Sequence, residues 1–275
     1  MSPPNPPPAN KRLGQHFLID PNIVRKILAL AELRSSDHVL EIGSGRGILT
    51  EALCHVAGRV TAVEVDPRLH AYLENRRAEF PNVDLICTDA LAYPVENLPM
   101  GMVVVANLPY YISTPLLFRL LDQRDRFPRM VLMLQNEVVD RLVAKPNGSD
   151  YGILSVMAQY AAEITKAFRV SAQCFRPRPE VGSAVVVLRA KEGRALSSNE
   201  EPQFAALVRA SFAHRRKTLV NSLKDEGYDQ KSVIEALDSL NLSSIARAEI
   251  LSVAQFIELS RLVTSRSSFN NSFTS

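Results

Sequence analysis

Four stretches hold side chains whose types and spacing suit chemistry: EIGSGRG (41–47), VEVD (63–66), TDAL (88–91) and NLPY (107–110). In the first, glycines at 43, 45 and 47 let the backbone run close to a ligand and turn a helix N-terminus towards it. A dinucleotide-binding GxGxxG needs a glycine at 48, where this chain has Ile48. A nicotinamide dehydrogenase is disfavoured by that residue and by the lack of a hydride-transfer acid. Glu64 can accept from both hydroxyls of a ribose, as an acidic residue does in dinucleotide folds. Asp89 can accept from the exocyclic amine of an adenine. Singly, each carboxylate is as well explained as a solvated loop residue. Placed in this order behind Gly43 and Gly45, Glu64 and Asp89 favour an adenosine-containing cofactor.

The fourth stretch suits an amine that is hard to alkylate. An adenine amino group is a poor nucleophile because its lone pair is delocalised into the ring. The Asn107 side-chain oxygen and the Leu108 carbonyl offer two acceptors that hold its hydrogens and favour a more pyramidal nitrogen. Pro109 fixes the turn that aims this carbonyl, and Tyr110 offers a face on which an extruded base can stack. The structural alternative is an Asn-X-Pro turn that closes a strand, with Tyr110 filling a gap.

Such groups must be carried to one edge by several strands. The hydrophobic pattern predicts strands over 38–42, 60–65, 83–87, 102–106 and 130–134. Helices are predicted over 21–33, with Asp20 as N-cap, over 48–57 and over 67–80. This alternation gives an α/β fold with a doubly wound, mainly parallel sheet, whose ligands sit beyond the carboxyl ends of the strands. Residues 162–170 and 183–189 read as two further strands, antiparallel at the edge. The composition changes at 191–202, a linker, after which 202–263 shows only helical patterns. Residues 1–9 and 265–275 read as disordered tails, and GSDYG (148–152) reads as a flexible loop closing over substrate.

The chain has 275 residues, 46% of them hydrophobic, with a net charge of +3 and a pI near 8.8. That charge permits a polyanionic partner without demanding one. Cys54, Cys87 and Cys174 are odd in number and widely spaced, which suits a reducing compartment and no metal site. No apolar run approaches the ~18 residues of a membrane span, and the opening MSPPNPPPAN lacks the apolar core of a secretory signal.

The four stretches, with KRLGQHFLID (11–20), NLPYYISTPLLF (107–118), LMLQNEVVDRLVAKPNGSDYGILSVMAQY (132–160), FRPRPEVGSAVV (175–186) and HRRKTLVNSL (214–223), resemble one family over about residues 11–262. It is the KsgA/Dim1 (RsmA-type) family of S-adenosylmethionine-dependent rRNA adenine N6,N6-dimethyltransferases. The resemblance implies a class I, Rossmann-like methyltransferase domain over 10–192 and a small all-helical rRNA-recognition domain over 200–264. It implies S-adenosyl-L-methionine as cofactor, held by His16, Leu18, Gly43, Gly45, Glu64, Asp89 and Asn107. Asn107, Leu108, Pro109 and Tyr110 become the target-adenine site, with Phe175 on the other face of the base. Lys11, Arg12, Arg176, Arg178, Arg215, Arg216 and Lys217 become phosphate contacts. The last three are expected on a helix whose apolar face is Phe204, Leu207, Val208, Leu219 and Val220. A charge run alone is usually a solvated helix face.

The implied product is N6,N6-dimethyladenosine at two adjacent positions in the 3′-terminal hairpin of small-subunit rRNA. The implied partner is a partly assembled small ribosomal subunit, met by a cytoplasmic (alternatively organellar) monomer without metal or membrane. The rival readings are the large-subunit antibiotic-resistance branch and a non-catalytic RNA-binding assembly factor. Three departures stand out: His16 where Asn is frequent, Ser44 where Pro is, and Tyr111 where Asn is.

Overall fold

A computed structural model describes residues 5–214 and 216–270. The chain divides into one unit of residues 1–140 and 161–191 and a second of residues 141–160 and 192–275. The sequence had placed all of 141–160 inside the methyltransferase domain.

The first unit holds β1 (Phe17–Leu18), α1 (Pro21–Ala31), β2 (His38–Ile42), α2 (Ile48–Cys54), β3 (Arg59–Glu64), α3 (Pro67–Glu74), β4 (Val83–Cys87) and β5 (Val103–Asn107). It continues with α4 (Ser113–Asp122), β6 (Arg129–Gln135), β7 (Ala162–Val170), β8 (Phe175–Arg176) and β9 (Ser183–Ala190). Among the described residues one sheet has the order β4-β3-β2-β5-β6-β9-β7. Its strands from β4 to β6 are parallel, while β9 runs antiparallel to both neighbours. The expected edge arrangement of 162–170 and 183–189 is therefore present. Strand β5 is buried on both faces from Val103 to Ala106, so it reads as a continuous apolar run and not as an alternating one.

Local signals set the helix ends. Asp20 accepts from the Asn22 N–H at 2.8 Å with Pro21 at the first helical position, which starts α1. Glu32 takes a left-handed conformation (φ 46°) and stops α1 two residues before the predicted end. Strands β1 and β8 form a separate antiparallel pair, Phe17 opposite Arg176 and Leu18 opposite Phe175. Two residues carry no detectable period, so nothing in the pattern announces this pair.

The tails differ from expectation in part. Residues 5–9 have no regular structure, yet the Arg46 guanidinium donates to the Pro7 carbonyl at 2.9 Å, which pins that stretch. Residues 1–4 and 271–275 lie outside the described residues. Residues 265–270, expected as disordered, continue the last helix; once nucleated, a helix adds one backbone bond per residue and can outrun its apolar pattern.

The second unit is helical. It takes in the end of α5 (Asn136–Leu142), most of α6 (Ile153–Ala161), and α7 (Glu200–Phe212), α8 (Leu219–Asp225), α9 (Gln230–Ser239) and α10 (Val253–Asn270). Its core is built on fully buried Phe204 and Phe256, whose rings lie 4.8 Å from Tyr160 and 5.8 Å from Phe212. The GSDYG stretch is not a free loop. Tyr151 is 5% exposed, donates to the Leu251 carbonyl at 2.8 Å and packs edge-on against Phe212. An aromatic ring with a satisfied hydroxyl anchors the stretch in the unit's core.

Candidate functional site

The carboxyl ends of β2, β3, β4 and β5 open on one cleft. Its walls include Gly43, Gly45, Glu64, Asp89, residues 107–112, and residues 13–17 of the N-terminal segment. The parallel alternation read from the sequence thus brings together the side chains singled out there.

In the glycine loop, Gly43, Gly45 and Gly47 have φ of 77°, 58° and 85°. Residues with a Cβ reach this left-handed region only at a cost of roughly 1–2 kcal/mol. The three serve different ends. A methyl group on Gly45 would meet the Phe17 ring at 3.2 Å inside the cleft, whereas one on Gly47 would meet Leu73 of α3 at 2.6 Å. Gly43 and Gly45 line the cleft, and Gly47 lets α2 approach α3.

Glu64 is 5% exposed, and its two oxygens accept the Gly45 N–H at 2.8 Å and the Asp66 N–H at 2.9 Å. Burial pushes its carboxyl above the usual range, and those two N–H groups limit the rise. Each oxygen keeps a lone pair for a ligand hydroxyl. Asp66 caps α3, and the Arg68 guanidinium, bonded to both its oxygens at 3.0 and 2.7 Å, holds its carboxyl down to about 2. Gln15 also donates to Asp66, at 3.1 Å, fastening the 13–17 segment beside the cleft. Asp89 is exposed to the cleft and accepts the Leu91 N–H at 2.9 Å.

Asn107 is the last residue of β5, opposite Met133 of β6. The Leu108 N–H donates to the Met133 carbonyl at 3.2 Å, which fixes the start of the turn at Pro109 (φ −59°). The Tyr110 hydroxyl bonds Ser183 Oγ at 2.6 Å, and its ring stacks with His16, centroids 5.8 Å apart. His16 Nδ1 lies 2.9 Å from the Pro177 carbonyl.

Two expected site residues lie elsewhere. Phe175 is 0% exposed and belongs to the apolar core, so it does not face the cleft; Leu18, 5% exposed, packs in the same core. The β1–β8 register explains both. Residues directly opposite in a ladder share a face, and successive residues alternate. Leu18 and Phe175 therefore point together into the core, while Phe17 lines the cleft. His16 stacks on Tyr110 itself, so among the described residues neither it nor Phe175 stands across the cleft from that ring.

Lys11 and Arg12 are exposed in a short turn (Lys11–Leu13), and Arg176 and Arg178 are exposed beyond β8. The Phe17–Arg176 pairing and the His16–Pro177 contact bring these two basic segments side by side, next to the cleft. The third basic segment is not on a helix as expected. Helix α7 ends at Phe212, and Thr218 starts α8 by accepting the Asn221 N–H at 3.3 Å. His214, Arg216 and Lys217 thus lie in the connecting loop, Lys217 paired with Asp225, while Arg215 lies outside the described residues. The Thr218 cap was readable in the sequence and marked the break.

Gln15, Ser183 and Glu41 were not anticipated. Glu41 sits between the buried Leu40 and Ile42 of β2, 1% exposed, and its Oε2 has no partner among the described residues; nor do the hydroxyls of Ser44 and Thr50. A carboxylate in a buried strand is the signal that marks it. Burial, reinforced by the charge of Glu64, pushes its carboxyl up to about 8 against the nearby Thr50. Its folded pKa therefore exceeds its unfolded value of 4.5, so its share of stability is intact below 4.5 and declines as pH rises towards about 8. We expect melting temperature to fall across that window in the ligand-free protein and to fall less in Glu41→Gln. Parallel pH profiles of the two proteins would remove this role.

Among the described residues no group of three or more His, Cys, Asp and Glu is arranged to hold a metal ion, and no helix is long and apolar enough to cross a membrane.

Comparison with known proteins agrees with this geometry. The chain is similar to "Ribosomal RNA small subunit methyltransferase A" of Moorella thermoacetica, 42% identical over 262 residues (91% of each chain). It is also similar to the protein of that name from Chlorobium phaeobacteroides, 45% identical over 251 residues (90% of this chain, 91% of the relative). Among solved structures, a dimethyladenosine transferase from Plasmodium falciparum superposes with a TM-score of 0.80 at 29% identity, covering 92% of this chain and 98% of that one. The 23S rRNA methyltransferase ErmE superposes at 0.70 and 27% identity, covering 90% and 99%. Residues 8–264 match the family described as ribosomal RNA adenine dimethylase. The match takes in the cleft and both units, and this chain belongs to the ribosomal RNA adenine dimethylase family.

Proposed function

We propose that this chain transfers methyl groups from S-adenosyl-L-methionine to N6 of two adjacent adenosines in the 3′-terminal hairpin of small-subunit rRNA. The observation that carries the reading is that a diol acceptor, Glu64, and an amine acceptor, Asn107, open on the same cleft as the glycine loop. The residues present fit that cofactor. Glu64 is buried, its oxygens have lone pairs to spare, and Gly45 leaves a space beside Phe17 that a Cβ would fill.

When bound, the cofactor supplies a methyl group on a sulfonium, which is electrophilic without further activation. Glu64 accepts from the ribose hydroxyls, and Asp89 accepts from the adenine amine. The Asn107 oxygen and the Leu108 carbonyl accept the two hydrogens of the target amine and turn its lone pair towards the methyl. Tyr110, its hydroxyl tied to Ser183 and one side backed by His16, presents a fixed ring to the target base. The amine becomes acidic only as the new bond forms, so the site works with an amide and a carbonyl and needs no strong base.

Relatives at 41–45% identity carry the small-subunit name, which favours that substrate over the large subunit. Intact Glu64, Asp89 and Asn107 favour an enzyme over a non-catalytic assembly factor. We place the reaction in the cytoplasm, on a partly assembled small subunit, with a monomer as the acting form. Exposed Lys11, Arg12, Arg176 and Arg178 beside the cleft, and Arg216 in the helical unit, meet the phosphates.

The test incubates the protein and labelled cofactor with undermethylated small and large subunits and maps the label. Two adjacent dimethyladenosines in the small subunit are expected, and label confined to the large subunit overturns the assignment. Glu64→Ala should weaken cofactor binding by about 1–3 kcal/mol, the scale of hydrogen bonds to a charged group. Calorimetry showing unchanged affinity removes Glu64 from the site.

A further inference from the structure

One aromatic ring of the cleft has no task in this scheme. Tyr111 lines the cleft, is 53% exposed, and makes no hydrogen bond or ring contact among the described residues. Its backbone is held on both sides within the short turn Tyr110–Ile112. The Tyr110 hydroxyl is tied to Ser183, and Ile112 is 8% exposed. Only the Tyr111 side chain is left unpartnered. The turn follows β5, but the phenol lies in the field of Asp89 and Glu64, at the ends of β4 and β3; burial and then those two charges push it above its usual range. The cleft that Tyr111 lines is the one walled by Gly43, Gly45, Glu64 and Asp89, so the ring shares its space with the glycine loop and both carboxylates. The cleft's other tyrosine, Tyr110, is already engaged by His16 and Ser183.

The geometry points to Tyr111 as a positioning residue of the cofactor subsite, its ring closing over the adenosine half of S-adenosylmethionine between Glu64 and Asp89. This rests on the function proposed above. Two methyl transfers require the spent cofactor to leave and a fresh one to enter, so a ring that roofs the adenosine also governs that exchange.

The test measures calorimetric affinities of S-adenosylmethionine and S-adenosylhomocysteine for the wild type, Tyr111→Ala and Tyr111→Phe, with KM for undermethylated small subunits alongside. Loss of one aromatic contact should weaken both ligands about 2- to 12-fold in Tyr111→Ala. Tyr111→Phe should bind as the wild type does, and KM for the subunit should be unchanged in both. A wild type that binds both ligands together with an alanine variant of equal affinity overturns the inference alone. A wild type that binds neither ligand overturns the proposed function and this inference with it. A raised subunit KM with unchanged cofactor affinity moves Tyr111 to the target base and equally overturns the inference.

Discussion

Asn107→Ala should lose about 10²–10³ in kcat while keeping its fold and most of its cofactor affinity, the effect seen when one preorganised group facing developing charge is removed. The amide sits at the mouth of β5 and makes no side-chain hydrogen bond among the described residues, so its removal orphans no buried partner. What disappears is an acceptor whose bond strengthens as the target amine turns pyramidal and acquires positive charge. An interaction made mainly at the transition state appears in the rate and hardly in binding. Single-turnover methylation of undermethylated subunits, with cofactor affinity measured in parallel, separates the two. Turnover within a few-fold of wild type would take Asn107 out of the reaction.

Gly47→Ala should cost about 2–4 kcal/mol of stability, combining left-handed strain with overpacking. The added methyl would lie 2.6 Å from a Leu73 carbon and 3.9 Å from the Phe80 ring, and both side chains are fully buried. A drop in melting temperature of roughly 5–15 °C follows for a unit of this size. Cofactor affinity below the transition should change little, because Gly43 and Gly45, not Gly47, line the cleft. A variant that melts with the wild type but fails to bind cofactor would reverse this division of labour.

Much of the site was legible because its parts sit where strand pattern and chemistry coincide. Glu64, Asp89 and Asn107 each follow a short apolar run, and parallel alternation sends all such ends to one edge. What escaped depended on contacts between distant segments. Phe175 and Leu18 looked like site residues from their motifs, but a two-residue pairing set which face each presents. The basic run at 214–217 is an exception of another kind: apolar residues in a helical pattern flank it on both sides, and the break is marked by one local cap, Thr218. The grouping of 141–160 with the helical unit has no local signal, since it rests on the anchoring of Tyr151 beside Phe212 and under Leu251.

The β1–β8 pair has a consequence for synthesis. Phe17 waits for Arg176, about 160 residues further along the chain. At translation rates of about 5–20 residues per second that delay is roughly 8–32 s. Meanwhile β2, β3, β4 and β5 have all emerged and can pair, carrying the glycine loop, Glu64, Asp89 and Asn107. The floor of the cleft is thus laid down early, while its N-terminal wall, residues 13–17, has at first only the Gln15–Asp66 bond and gains its strand pairing near the end of the first unit. A nascent chain halted before residue 175 holds the reactive groups but lacks the strand that secures that wall, so tight retention of the cofactor is a late event in its production.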